Sequence, residues 1–319
     1  MISRFIRSIV NRILARMRGP LSKELIALSS RVDALAMLSA RSTIDTITAQ
    51  GVLNTIQDAE FRVFSQFGDD GIIQYLVHAI PVRPPIFIEF GVDNYLESNT
   101  RFLLENNNWR GLVIDKGKRN IDAIRARETY WRHDLVARQS FVTRDNINAT
   151  IREAGFAGEV GVLSIDIDGN DYWVWEALDV IHPVVVIVEY NSVFGDTHPI
   201  AVPYEPEFTR SKAHYSYLLW GASLSALNVL AERKGYVLAG CNSAGINAYF
   251  VRRDLAGSVR TCSAKSGFVE SRFRDSRDIH GNLNVIAGRQ RLLAIKDCEV
   301  VDVTTQKHMR IADLYQIGS

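Results

Sequence analysis

Two apolar runs, each ending near an acid, constrain this chain more than any other feature. Phe87-Ile88-Glu89-Phe90-Gly91-Val92 carries an acid and then a glycine, and about one β-α-β unit later Gly111-Leu112-Val113-Ile114-Asp115 ends on a second acid. A doubly wound α/β domain holds a nucleoside-bearing cofactor with such parts. The glycine lets the backbone approach the ligand, and a carboxylate ending the second strand accepts both hydroxyls of a ribose. The spacing predicts a nucleotide-type cofactor without saying which.

The surrounding pattern is regular. A helix is expected from Asp69-Asp70-Gly71 to about Ala79, with Pro84 and Pro85 ending the connection. Strands are expected at 86–91, 111–115, 138–142, 160–166 and 184–189, with helices between them at 98–107, 118–128, 145–154 and 172–180. Such alternation predicts a parallel sheet covered on both faces. A long helix at 221–234 follows, then two apolar runs, 236–240 and 247–251, joined by a short Gly- and Asn-rich link. These predict an antiparallel hairpin closing the sheet. The segment after 255 is irregular and Arg-rich, with strands expected at 291–295 and 299–303 and no role assigned.

With 319 residues, 47% hydrophobic and 23% charged, the chain has ample material for a full core. A net charge of +1 gives no global case for nucleic-acid binding. Cys241, Cys262 and Cys298 have neither metal-ligand nor paired spacing, so they are expected as packed thiols in a reducing, cytoplasmic setting. No apolar run approaches the ~20 residues that a spanning helix needs.

The N-terminus departs from this average. Over residues 1–18, Ile2, Phe5, Ile6, Ile9, Val10, Ile13, Leu14 and Met17 share one helical face, and five arginines with no acid occupy the rest. Such a helix suits the anionic inner face of a membrane, a partner subunit, or an organelle transit peptide. Gly19-Pro20 is expected to break it. Leu21, Leu25, Leu28, Val32 and Leu35 then alternate by four and three, a short coiled-coil seam that would assist a homo-oligomer. The expected organisation is 1–40 for the basic helix and coiled coil, 41–58 for a linker, 59–255 for the catalytic domain and 256–319 for an extension.

Residues 59–255 resemble the FkbM-like branch of the class I S-adenosylmethionine-dependent methyltransferases. The matching pieces are 64–70 (Phe-Ser-Gln-Phe-Gly-Asp-Asp), Phe87 to Gly91, Ser98-Asn99-Thr100, Trp109-Arg110-Gly111 leading to Asp115, and 163–169 (Leu-Ser-Ile-Asp-Ile-Asp-Gly). The resemblance implies a Rossmann-like sheet of five parallel strands plus the C-terminal antiparallel hairpin, preceded by N-terminal helices. It implies that Glu89 and Gly91 hold the amino-acid end of S-adenosylmethionine, Asp115 its ribose and residues around Val142-Thr143 its adenine, with Gln66 folded over the methionine portion. Asn99 and Thr100 would begin a helix whose free N–H groups face the same loop. There is one departure. The family's glycine-rich loop has Asp93 and Tyr95 at its second and third glycine positions, and Asn94 is expected to supply the left-handed turn.

The chemistry is expected at Asp166-Ile167-Asp168-Gly169 and at Glu189-Tyr190-Asn191, at the carboxyl ends of consecutive strands. Asp166, Asp168, Glu189 and Asn191 would offer three acids and an amide oxygen, which suits magnesium or manganese. Some sugar O-methyltransferases that look like this chain bind a metal at matching positions, but with more acids where only Glu189 stands here. The competing reading has Asp166 assist the cofactor, Asp168 cap the next helix, and no metal. Asp168, Glu189 and His214 are the candidate bases for a direct methyl transfer to the hydroxyl of a glycan or similar metabolite. The loop 202–208 is expected to cover the acceptor, with Tyr204 and Trp220 as sugar-stacking candidates. Two other classes remain open: a metal-dependent glycosyltransferase using Asp166-Ile167-Asp168 as its Asp-x-Asp motif, and a non-catalytic scaffold.

Overall fold

The computed structural model describes the backbone of residues 2–317 and, within them, the side chains of 24, 25 and 27–317. Ten strands organise it: β1 (Ile86–Phe90), β2 (Arg110–Asp115), β3 (Leu135–Gln139), β4 (Gly158–Ile165), β5 (Ile181–Glu189), β6 (Ile200–Ala201), β7 (Tyr236–Cys241), β8 (Asn247–Arg252), β9 (Glu299–Asp302) and β10 (Lys307–Arg310). Seven form one sheet in the order β3-β2-β1-β4-β5-β8-β7. The first five are mutually parallel, and β8 runs antiparallel to both β5 and β7.

Central β4 and β5 are Val- and Ile-rich and buried almost throughout, as a sheet covered on both faces requires. Helices Arg101–Glu105, Lys118–Arg125, Ile147–Glu153, Asp171–Ala177 and Leu224–Arg233 alternate with the strands. Trp175, Tyr236 and Phe250 pack on one face, while Phe87, Ile72 and Tyr249 pack on the other. The strand order reverses between β1 and β4, so a crevice opens at the carboxyl ends there. Two backbone bonds lock its floor: the Gly91 N–H donates to Ile114 O at 2.9 Å, and the Asp166 N–H donates to Phe90 O at 3.3 Å.

Four expectations need correction. The third strand lies at Leu135–Gln139 rather than 138–142, because Leu135 and Ala137 supply the inward alternation. Gly19-Pro20 does not interrupt the chain's first helix, which runs Ile2–Gln50. A proline removes one N–H and costs about 3 kcal/mol, a local loss that helix-favouring neighbours on both sides can absorb. Residues 41–58 are no linker. They finish that helix and a following turn, and Ile44, Ile47, Leu53 and Ile56 are buried against the body. Finally, 291–295 falls in a helix, Arg289–Ala294, whose Arg-Gln-Arg-Leu-Leu-Ala sequence favours that state.

The amphipathic face of 1–18 and Leu21 lie outside the described side chains. Leu25, Leu28, Val32 and Leu35 of the seam are each more than half exposed. No described helix is long and apolar enough to cross a membrane. Cys241 is buried, and Cys262 and Cys298 are half-buried.

The segment after 255 is integral to the body. Its strands β9 and β10 join β6 in a three-stranded antiparallel sheet, order β10-β9-β6, over a small core that includes Phe194, Ile200, Leu218 and Val300. The Tyr190 hydroxyl donates to Val269 O at 2.6 Å, and the Ser271 N–H donates to Ser192 Oγ at 3.0 Å. These contacts carry the segment across the open end of the crevice.

Candidate active site

The strand ends open onto a cleft of about 320 Å³, at the lower end of the range for small-molecule sites. Of the expected residues, Gln66, Gly91, Asp115, Asp166, Asp168 and Glu189 line it. Glu89, Asn99, Thr100, Thr143, Asn191 and His214 do not.

Asp115 closes the β2 side. Its Oδ1 accepts the Gly117 N–H at 2.6 Å and Asn120 Nδ2 at 2.9 Å, and its Oδ2 accepts the Asp93 N–H at 3.1 Å. Three donors thus aim one carboxylate before any ligand arrives. Gly91 is required for packing as well as access. Its φ is +76°, and a Cβ there would lie 1.6 Å from the Asp166 carbonyl oxygen. The expected role of Asn94 is corrected: Asp93 (φ +45°) and Tyr95 (φ +61°) take the left-handed conformations. Local bonds hold them in place. Asp93 Oδ1 accepts Asn120 Nδ2 at 3.3 Å, while buried Tyr95 meets Thr100 Oγ1 at 3.1 Å. The bulkier loop therefore turns without its glycines.

Glu89 lies beneath this wall. It accepts Ser98 Oγ and Thr100 Oγ1 at 2.5 Å each, the Asn99 N–H at 2.9 Å and the Thr100 N–H at 3.2 Å. Those bonds occupy its carboxylate and anchor the turn into helix Arg101–Glu105. Burial raises its pKa, and the same bonds oppose that rise. Asn99 donates to Ser164 Oγ at 3.1 Å, so it braces β4. The Thr143 N–H is held by Asn146 Oδ1 at 2.9 Å, and its neighbours Phe141 and Val142 reach the cleft in its place.

The β4–β5 side is built differently. Asp166, Asp168 and Glu189 present carboxylate oxygens within 4.8 Å of one another. Glu189 is buried, and its Oε2 has no hydrogen-bond partner. Burial pushes Asp166 up to about 8, with the charges of Asp171 and Asp168 adding to it. Burial and then Asp166 push Glu189 well above the usual carboxylate range. This donor set fits one hard divalent cation, or else a shared proton. Asp168 takes a left-handed φ of +59° and lies 3.6 Å from Arg210 Nη1. Asp171, not Asp168, organises the turn, because its carboxylate accepts the Ile167 and Gly169 N–H groups at 2.8 and 2.9 Å. Burial lifts its pKa to about 6.

Asn191 is corrected as a ligand. Its Nδ2 donates to Leu218 O and Trp220 O at 2.9 Å each, and its Oδ1 accepts the Val193 N–H at 3.0 Å, so the amide is committed to backbone. Asn170 offers what Asn191 cannot: it lines the cleft, and its buried Oδ1 has no partner. Its place two residues after Asp168 was the available signal. His214 is corrected as a base. Its Nδ1 pairs with Ser216 Oγ at 2.7 Å and its ring packs on Tyr215, away from the cleft lining. Trp220 does line the cleft, whereas Tyr204 stacks on Arg144 and bonds Asp145 outside it.

Sequence reasoning missed most of the third wall. Phe208, from the loop expected to cover the acceptor, does line the cleft; what was missed is Arg210, opening the short helix Arg210–Ala213, and Ser271, Phe273, Asp275 and Arg291 of the C-terminal segment. Phe67 meets Phe273 edge to face, with centroids 5.1 Å apart, joining the segment ahead of β1 to the C-terminal segment. Arg210 donates to Asp275 Oδ2 at 2.6 Å, which ties this segment to the Asp168 side.

No family model matches the chain. No curated protein matches it either. Among solved structures, the N-terminal domain of EvdMO1, crystallised in the presence of SAH and D-fucose, is 11% identical with a TM-score of 0.38, over 69% of this chain and 97% of that one. An O-methyltransferase from Bacillus cereus in complex with SAH is 12% identical with a TM-score of 0.37, over 66% and 89%. A SAM-dependent methyltransferase from Aquifex aeolicus is 8% identical with a TM-score of 0.35, over 58% and 90%.

Proposed function

We propose that this chain is an S-adenosylmethionine-dependent methyltransferase, FkbM-like in kind, that methylates a hydroxyl of a sugar, glycan or related metabolite. The observation that carries this reading is the Asp115 carboxylate, held by three donors at the end of β2 beside Gly91, where a ribose would be received. The strand order, five parallel strands closed by an antiparallel hairpin, is that of the class I methyltransferases and supports it.

S-adenosylmethionine supplies a methyl group on a positively charged sulfur, ready for in-line transfer to a nucleophile. Gly91 and Asp115 position the nucleoside, with Phe141 and Val142 as the apolar surface beside it. Asp166 and Glu189 stand where the acceptor hydroxyl enters. A carboxylate with its pKa raised toward neutrality suits removal of the hydroxyl proton, a contribution of typically 10²–10⁴-fold. Asp166, Asp168 and Glu189 would also hold magnesium or manganese, which would lower the hydroxyl's pKa. Trp220 and Phe208 form the apolar side of the acceptor space.

The test is thermal unfolding with S-adenosylhomocysteine, UDP and NAD, each with and without magnesium or manganese. At about 100 times its dissociation constant a ligand stabilises by ~2.7 kcal/mol. A shift with S-adenosylhomocysteine alone is expected. A shift with UDP only when manganese is present would replace this reading with the glycosyltransferase. Silence from all three would favour the scaffold.

Two partner proposals accompany it. The exposed heptad face of Leu25, Leu28, Val32 and Leu35 supports pairing with the same helix of a second copy. Leu28→Glu with Leu35→Glu should lower the average mass by light scattering at low protein concentration, and an unchanged mass would reject the pairing. Residues 1–18 are proposed to bind an anionic membrane surface. Their deletion should abolish sedimentation with anionic vesicles, and unchanged sedimentation would end that proposal.

A further inference from the structure

Three basic side chains line the cleft, and they differ in what balances them. Arg210 is neutralised: Asp275 Oδ2 lies at 2.6 Å, Asp168 Oδ1 at 3.6 Å, and the guanidinium sits 4.8 Å from the Trp220 ring centroid. Lys116 follows Asp115 at the exposed β2 end. Arg291 stands apart. It is only 6% exposed, its Nη1 donates to Ser271 O at 3.0 Å, and its Nε has no partner. Among the described residues no acid forms an ion pair with it. Asp275 and Glu270 are near enough to attract it, yet burial still lowers its pKa. A buried cation without a close counter-ion is destabilising. An anion arriving in the cleft would offset that cost.

Its anchoring fixes which half of the cleft it serves. Arg291 is bonded to Ser271, and the Ser271 N–H is bonded to Ser192 Oγ, three residues beyond Glu189. The guanidinium is thus tied to the β5 side. It also borders a second cavity of about 440 Å³, and Arg291 and Ser192 belong to both walls. Arg291 is therefore a wall shared by two spaces.

We propose that Arg291 receives an oxyanion carried by the acceptor, so that the substrate is an acidic hydroxylated molecule, a sugar bearing a carboxylate or a phosphate. This rests on the methyltransferase reading for the division of the cleft into a cofactor half and an acceptor half. Arg291 offers a planar fork of donors that matches either oxyanion. Trp220, Phe208 and Asp166 would contact the uncharged remainder. The third wall thereby sets specificity for acidic over neutral acceptors.

The experiment uses the full chain, with and without S-adenosylhomocysteine. Thermal unfolding is followed against inorganic phosphate and against acetate, each compared with sodium chloride at equal ionic strength. A saturable stabilisation beyond chloride is expected with S-adenosylhomocysteine bound, and whichever oxyanion is stronger tells phosphate from carboxylate. Arg291→Gln should weaken the response at least tenfold, and Arg291→Lys should retain part of it. A wild-type response no greater than that of chloride would overturn the proposal, whether or not the glutamine variant folds. So would an undiminished response in a folded Arg291→Gln protein. A response that vanishes once S-adenosylhomocysteine is bound would give Arg291 to the cofactor's own carboxylate and also overturn it. An oxyanion response in a protein that S-adenosylhomocysteine fails to stabilise would instead break the methyltransferase reading and leave the anion site standing.

Discussion

The two sides of the crevice hold the same residue type in opposite circumstances. At the β1–β2 side, Glu89 accepts four hydrogen bonds and Asp115 accepts three, all from protein donors. At the β4–β5 side, Asp166 has another acid, Glu189, as its partner, and Glu189 keeps one buried oxygen unpaired. The satisfied carboxylates shape backbone: Glu89 organises the turn at 98–100, and Asp115 gathers 93, 117 and 120. The unsatisfied ones carry free energy that a proton, a cation or a substrate hydroxyl can release. Bonds within the fold fix the orientation of the first pair, as a ribose-receiving Asp115 requires, whereas buried acids left without such donors mark where a proton, a cation or a hydroxyl is handled.

The largest effect should come from the seam between the two sides. Gly91→Ala would drive a Cβ to 1.6 Å from the Asp166 carbonyl at a left-handed φ. It is expected to cost about 3 kcal/mol or more in urea unfolding. A wild-type midpoint would mean that β1 and β4 are not locked there. Next is Glu89→Ala, which orphans two hydroxyls and two N–H groups in a buried place, at an expected cost of about 2–3 kcal/mol. A change below about 0.5 kcal/mol would erase the contrast between the two sides.

Asp115→Asn should act mainly on ligand. About a tenfold loss of S-adenosylhomocysteine affinity by calorimetry is expected, the ~1.4 kcal/mol typical of one charge-assisted bond. Unchanged affinity would remove the ribose role.

Asp166→Asn should have the smallest effect on the fold, with the opposite sign. An acid whose folded pKa is raised holds its proton more tightly when folded. Its stabilising contribution is therefore complete below the unfolded pKa and is lost as pH rises through the folded one. For Asp166 that window runs from 3.8 to about 8. The melting temperature of the metal-free protein should fall across it. Asp166→Asn should flatten the fall, leaving the variant about 1 kcal/mol more stable at the alkaline end. A melting curve independent of pH would mean these acids are not strained. Magnesium added near pH 8 should restore the wild type if the acids hold a metal, and no recovery would argue for the shared proton.

Much of the scaffold was legible because its signals are local. Alternating and continuous apolar runs mark strands wherever they occur, so the ends of β1, β2, β4 and β5 were readable, and with them Glu89, Asp115, Asp166 and Glu189. Local signals also misled. Asn94 is the residue type that tolerates a left-handed turn, yet Asp93 and Tyr95 adopt it, because bonds to Asn120 and Thr100 hold them. Asn191 follows a strand-ending acid, but carbonyls of residues 218 and 220 claim its amide.

Sequence alone determined the α/β alternation, the closing hairpin and the carboxylates at four strand ends, because side-chain periodicity follows from backbone geometry within a few residues. Only the tertiary structure decided which carboxylates are satisfied and which are left strained. It also decided that Ser271, Phe273, Asp275 and Arg291 form the third wall of the cleft. The wall joins groups 65 to about 200 positions apart, such as Arg210 with Asp275 and Phe67 with Phe273. The carboxylates' donors lie within 22 positions, but are brought to them by turns whose shape apolar periodicity does not encode.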